Sequence, residues 1–151
     1  MRPLDVIALL TAEEVFGLTL VGEARGEPIE GIVAVASVIR NRFHSRIGKY
    51  ASYREVCLEP DQFSCWNEKD SNYSFLIEIG EKLLNGSNPN DIYIRQCIWV
   101  AHGMINWDLT DNTGGRIHYL TTTKFKTNPP NWAKNPKGTV VEIGSQTFFN
   151  V

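Results

Sequence analysis

The chain has 151 residues, 42% of them hydrophobic and 21% charged, and carries a formal net charge of -2. That apolar share excludes disorder as a whole-chain state, and the near balance of charge argues against nucleic acid as the main partner. The longest apolar run, Ile32 to Ile39 broken only by Ser37, is far short of the ~20 residues that span a bilayer.

At the N-terminus Arg2 is followed by Asp5, Glu13 and Glu14, and Val6–Leu10 is too short for a secretory core, so no signal peptide is expected. Thr11 with Glu14 three residues later forms a capping box and predicts a helix with Phe16, Leu20 and Ala24 on one stripe. Gly26 and Pro28 end it, because proline forces the preceding Glu27 out of helical geometry. Residues 29–43 are apolar nearly all round, and their length favours a buried helix over a strand.

Residues 44–72 are polar and irregular and predict a long surface loop with one short helical turn, a kind of segment that often carries function. Helices are expected over 73–85, with Phe75, Ile79 and Leu83 inward, and over 91–107, with Ile94, Cys97, Ile98, Ala101 and Ile105 inward. Trp99, on that last helix, is expected in the core. Thr113-Gly114-Gly115 is a turn signal, and strands are expected over 116–123 and 139–143. Helices followed by a small β element make the fold class α+β, with residues 1–151 as one domain.

Cys57, Cys65 and Cys97 show no C-x-x-C spacing, so neither a zinc ribbon nor a redox motif is supported. Reduced thiols are the simple expectation; a Cys57–Cys65 bridge stays open. His44, His102 and His118 are scattered, with no ligand spacing for a metal.

The most informative stretch is Val21-Gly22-Glu23-Ala24-Arg25-Gly26-Glu27-Pro28. Glu23 lies seven residues after Phe16 and three after Leu20, at the margin of the buried helix face. A carboxyl there loses water, which favours its protonated form and suits a general acid. The plainer alternative is a Glu23–Arg25 pair or a cap on a neighbouring element. Glu27 suits a structural role, accepting backbone N–H groups at the start of the next helix.

The run Gly22-Glu23-Ala24-Arg25-Gly26-Glu27-Pro28, followed by Gly31, Val33-Ala34-Val35-Ala36, Val38-Ile39 and Asn41-Arg42, resembles the signature of the SleB-type cell wall hydrolases. Shorter matches follow at Pro60, at Gln62-Phe63-Ser64, at His118-Tyr119, at Trp132, and at Ile143-Gly144 with Phe148. The resemblance implies a mainly helical, lysozyme-like catalytic domain with a small C-terminal antiparallel β element. It implies cleavage of peptidoglycan glycan strands between N-acetylmuramic acid and N-acetylglucosamine by lytic transglycosylation, leaving 1,6-anhydro ends, with Glu23 as the catalytic acid. No cofactor or metal is called for.

It further implies that Gln62, Phe63, Ser64, Tyr119 and Trp132 bind substrate. Trp66 offers a second flat face, and Arg25, Glu27 and Asn41 are supports. Asp61, Asp108 and Asp111 are candidates for a second carboxylate, each in a turn-rich context where Asp is common. Two departures stand out: Gln146 replaces a usual histidine, and the segment around Arg116 differs from the usual small apolar residues. A catalytic domain of this size suits a phage lysis or virion-associated enzyme, delivered to the wall by a virion or holin-type partner.

Three other readings compete. One is a hydrolytic muramidase on the same bond. Another is an amidase or peptidase with Cys65 as nucleophile and His118 or His102 as base. The third is a non-catalytic glycan-binding module.

Overall fold

The computed structural model describes residues 1–45 and 49–151. Its first half is helical, as expected. Helix α1 (Pro3–Leu9), not anticipated from the sequence, starts on Pro3 with Asp5 in its first turn, both ordinary start signals. Helix α2 (Ala12–Ala24) opens on the capping box: Thr11 accepts from the Glu14 backbone N–H at 3.1 Å, and Glu14 accepts from the Thr11 N–H at 2.8 Å. Every residue from Val15 to Val21 is buried, so the expected single stripe is in fact an all-round apolar surface. That pattern marks a central helix.

Helix α3 (Ile29–His44) follows after Pro28, which stands as its N-cap in extended geometry. Glu30 in its first turn and Arg42 and His44 in its last complement the helix dipole. The following polar stretch holds helix α4 (Tyr53–Leu58) and a 3₁₀ turn (Ser64–Trp66); part of the expected loop, 46–48, lies outside the described residues. Helices α5 (Tyr73–Leu84) and α6 (Ile92–Ile105) then pack on α2. On α5 the buried residues are Tyr73, Leu76, Ile77, Ile79 and Gly80, so Ile79 points inward as expected while Phe75 and Leu83 lie on the margin. Asp91 caps α6, accepting from the N–H groups of Tyr93 and Ile94. Trp99 is 59% exposed, which corrects its expected place in the core.

Arg40 ties the end of α6 to α3. It is 3% exposed and donates to the carbonyls of Met104 and Leu109 at 3.1 and 3.0 Å, with the Trp107 ring stacked over its guanidinium. Asn41 does similar work one residue on, donating to Asp111 and to the Arg116 carbonyl, both at 3.0 Å.

The C-terminal part is a three-stranded antiparallel sheet in the order β1-β3-β2. Strand β1 (His118–Thr121) is shorter than expected, because the Thr121 side chain caps helix α7 (Thr122–Thr127) by accepting from the Lys124 N–H. Strand β2 (Lys137–Ile143) covers the second expected strand. Strand β3 (Gln146–Asn150) was not expected. It is the central strand, buried from Gln146 to Phe149, so the alternation that reveals a half-exposed strand is missing. Gly144, at φ +59°, supplies the left-handed residue that the tight β2–β3 turn needs. The architecture is α+β. No helix among the described residues is long and apolar enough to cross a membrane.

Candidate active site

The central helix ends at a cleft. Glu23 sits in the last turn of α2, half-buried, and lines a cavity of about 590 Å³. Five other segments complete the walls. Arg42 comes from the end of α3, and Asp61, Gln62, Ser64 and Asn67 from the segment after α4. His118, Tyr119 and Leu120 come from β1, and Lys124 and Trp132 close the far side. Residues remote in sequence thus meet around one carboxyl group.

Gly22 permits the close approach of one wall. A Cβ there would lie 2.5 Å from the Cys65 Cβ and 2.7 Å from its Sγ, so only glycine lets the Ser64–Trp66 turn lie against α2 beside Glu23. Trp66 anchors that turn by donating its indole N–H to the Thr19 hydroxyl at 2.9 Å. It is therefore a packing residue, not the open face the sequence suggested.

The Tyr119 hydroxyl donates to Glu23 Oε1 at 3.2 Å. Burial raises the Glu23 pKa above its ordinary value. The Tyr119 hydrogen bond opposes that shift, Asp70 adds to it by charge repulsion, Arg42 opposes it, and the net change is upward. Burial and the neighbouring Glu23 charge push Tyr119 well above the usual phenol range, so it remains a donor. Burial and the Arg42 charge lower the pKa of His118, favouring neutral imidazole. Chemically, the arrangement is a carboxyl poised to hold a proton in a polar groove, with a fixed donor on one of its oxygens.

Arg42 organises the wall. Its Nε donates to the Ile117 carbonyl at 2.7 Å and its Nη1 to Gln62 Oε1 at 3.3 Å, while the guanidinium lies over the Phe63 ring, 5.2 Å from the centroid. Trp132 is 53% exposed, stacks on Phe149 and lies at a tilt against His118, presenting an aromatic face at the rim.

The cleft therefore gathers Glu23, Gln62, Ser64, Tyr119 and Trp132 from the sequence-derived set. Phe63 is not among its lining residues. It is 2% exposed and belongs to the core, anchoring the loop that carries its two neighbours. Arg25 lies over the Phe75 ring, 4.6 Å from its centroid, instead of pairing with Glu23. Glu27 reaches the β2–β3 turn rather than the start of α3: its Oε1 accepts from the Ser145 N–H at 3.1 Å and from the Ser145 hydroxyl at 2.6 Å.

Of the three aspartates, only Asp61 lines the cleft, in left-handed geometry at φ 65°. Asp111 instead accepts from the N–H groups of Thr113 and Gly115 and from Asn41. Partial burial raises its pKa, but these hydrogen bonds outweigh that and lower it. The sequence reading missed Arg42, Asn67 and Lys124 as wall residues. For Arg42 the signal was present in the Asn41-Arg42 pair that closes the family-like block.

Cys57, Cys65 and Cys97 are all buried free thiols, so the Cys57–Cys65 bridge is absent. Burial, with Glu23 and other acidic neighbours, pushes the Cys65 thiol far up, the reverse of what a cysteine nucleophile needs.

A sequence profile of the cell wall hydrolase family matches residues 26–149, beginning just after Glu23. No curated protein matches. Two solved structures share the fold. One is the catalytic domain of the germination-specific lytic transglycosylase SleB from Bacillus anthracis. It is 24% identical, with a TM-score of 0.61 over 92% of this chain and 93% of that one. The other is the catalytic domain of the Bacillus cereus SleB protein. It is 23% identical, with a TM-score of 0.59 over 92% of this chain and 89% of that one. With the profile match spanning most of its length, the chain belongs to the cell wall hydrolase family, and its fold is that of the SleB catalytic domains.

Proposed function

We propose that residues 1–151 form one catalytic domain, a lytic transglycosylase that cuts between N-acetylmuramic acid and N-acetylglucosamine with Glu23 as its general acid and base. The observation that carries this reading is the half-buried Glu23 carboxyl, its pKa raised, at the wall of a polar cleft with Tyr119 on one oxygen.

Tyr119 occupies Oε1, which leaves the second oxygen to carry the proton. Glu23 gives that proton to the glycosidic oxygen as the C1–O bond breaks. The resulting carboxylate takes a proton from the C6 hydroxyl as that oxygen attacks C1 and closes the anhydro ring. The proton returns to Glu23, and no water is consumed. Gln62 and Ser64 serve as hydrogen-bonding partners for sugar hydroxyl and N-acetyl groups, and Trp132 as a flat platform for a pyranose ring. Arg42 holds Gln62 and the backbone of Ile117 in place.

One observation favours a second reading. Asp61 lines the same cleft, and a second carboxylate could activate water for simple hydrolysis. The masses of the released muropeptides separate the two: anhydro ends support the first reading and reducing ends the second. Loss of all glycan cleavage in Glu23→Gln is required by the Glu23 assignment, and undiminished cleavage by that variant rejects it.

A further inference from the structure

A second hollow, of about 620 Å³, lies at the opposite end of α2 and shares no lining residue with the Glu23 cleft. Glu13, in the first turn of α2, lines it. Glu23 is ten residues further on, about 15 Å along the helix axis at 1.5 Å per residue. Nothing in the catalytic scheme uses this hollow.

Its composition is specific. Trp99, 59% exposed, stands on α6 with Arg95 one turn before it and His102 one turn after, so all three fall on one helix face. His102 Nδ1 lies 2.8 Å from Glu13 Oε1, which joins α6 to α2 and firms that wall. Across from this face run Asn88-Pro89-Asn90. The same three residues also line a neighbouring hollow of about 400 Å³, so they form a ridge between two depressions. An exposed indole beside amide side chains and a guanidinium is a chemical match for an amphipathic ring: an apolar face to stack, hydroxyl and N-acetyl groups to hydrogen-bond, and a carboxylate to pair.

We infer that the Trp99 hollow is an accessory binding site for peptidoglycan glycan, in which a sugar ring stacks on Trp99, Asn88 and Asn90 contact its polar groups, and Arg95 pairs with a muramyl or stem-peptide carboxylate. The inference rests on the proposed function for its choice of ligand. The site holds the enzyme on an insoluble polymer while the Glu23 cleft acts, and the paired hollows accommodate more than one sugar unit. Charge complementarity selects this ligand over a neutral glycan: of the two charged groups lining the hollow with His102, the Glu13 carboxylate is engaged by His102 at 2.8 Å, while Arg95 makes no ion pair among the described residues and faces the carboxylates that peptidoglycan carries.

The test measures retention and turnover separately. Retention on purified sacculi is measured by sedimentation in a Glu23→Gln background, where cutting cannot release the protein. Turnover is measured in the Glu23 form on a soluble disaccharide-repeat muropeptide too short to span both sites. Trp99→Ala is expected to weaken retention about tenfold, equivalent to about 1.4 kcal/mol, and to leave soluble turnover unchanged. Trp99→Phe, which keeps an aromatic face, is expected to retain more than Trp99→Ala. Circular dichroism checks that both variants are folded, and the exposure of Trp99 leaves the core untouched by either change. Equal retention by the parent and Trp99→Ala overturns the inference. So does loss of soluble turnover in a folded Trp99→Ala, which would make the hollow part of the catalytic cleft. Failure of the catalytic reading shows elsewhere, as an absence of glycan cleavage by the unmodified chain, and leaves the retention measurement intact.

Discussion

Tyr119 and Glu23, ninety-six positions apart, meet through one hydrogen bond of 3.2 Å that joins the sheet to the end of the central helix. The phenol donates to the carboxylate and so favours its ionised form, against the burial that favours the protonated one. The pair thus sets both the position and the proton affinity of the proposed catalytic group.

Tyr119→Phe removes the donor and keeps the ring. Without it the Glu23 pKa rises further. A general acid works while protonated, so activity falls as pH rises through its pKa, and the alkaline limb of the profile is expected to move to higher pH. The turnover number should drop roughly tenfold from lost positioning, in line with one hydrogen bond to a charged group. A pH profile of kcat/KM in both proteins checks this. An unmoved or downward-shifted alkaline limb would contradict the proposed role of the phenol.

The same burial has a signature in stability. The folded-state pKa of Glu23 lies above its unfolded value of 4.5, so the native state binds the proton more tightly. Stability from this group is fully present below pH 4.5 and is lost as pH rises through the folded value. Glu23→Gln, neutral at every pH, is therefore expected to melt higher than the parent at neutral pH. The difference should shrink as the pH is lowered through the folded-state pKa towards 4.5 and level off below that. Thermal melts across that range measure it, and a parent protein that melts higher than the variant at neutral pH would show that the carboxylate is not destabilised by its site.

Glu27 is a structural group. It ties the start of α3 to the β2–β3 turn through Ser145, beside Gly144 in left-handed geometry. Glu27→Ala is expected to cost about 1–2 kcal/mol of stability, while the folded fraction keeps most of its activity. Urea unfolding with activity per folded molecule separates these effects. A variant of full stability and no activity would assign Glu27 to the chemistry instead.

The helical half was legible because its signals are local. Thr11 with Glu14, and Pro28 after Gly26, fix the ends of α2 and the start of α3 by side-chain chemistry within a few residues. Strand β3 was not legible, because a central strand buried from Gln146 to Phe149 shows no alternation. Thr121 hid α7 for a different reason: a β-branched threonine reads as strand, yet its hydroxyl caps the helix that follows. In the site, Glu23 could be placed from its helix register, whereas Arg42 gains its role from contacts with Gln62 and Ile117 that only the tertiary fold creates. Phe63 shows the reverse case. It stands between two cleft residues in sequence, but its side chain turns into the core.

The most direct measurement is mass spectrometry of muropeptides released from purified sacculi by the parent chain and by Glu23→Gln. The expected result is products ending in 1,6-anhydro-N-acetylmuramic acid, lighter by the mass of one water than hydrolytic products, from the parent alone. Reducing ends from the parent, or the same anhydro products from Glu23→Gln, would contradict a single carboxyl group acting as both acid and base.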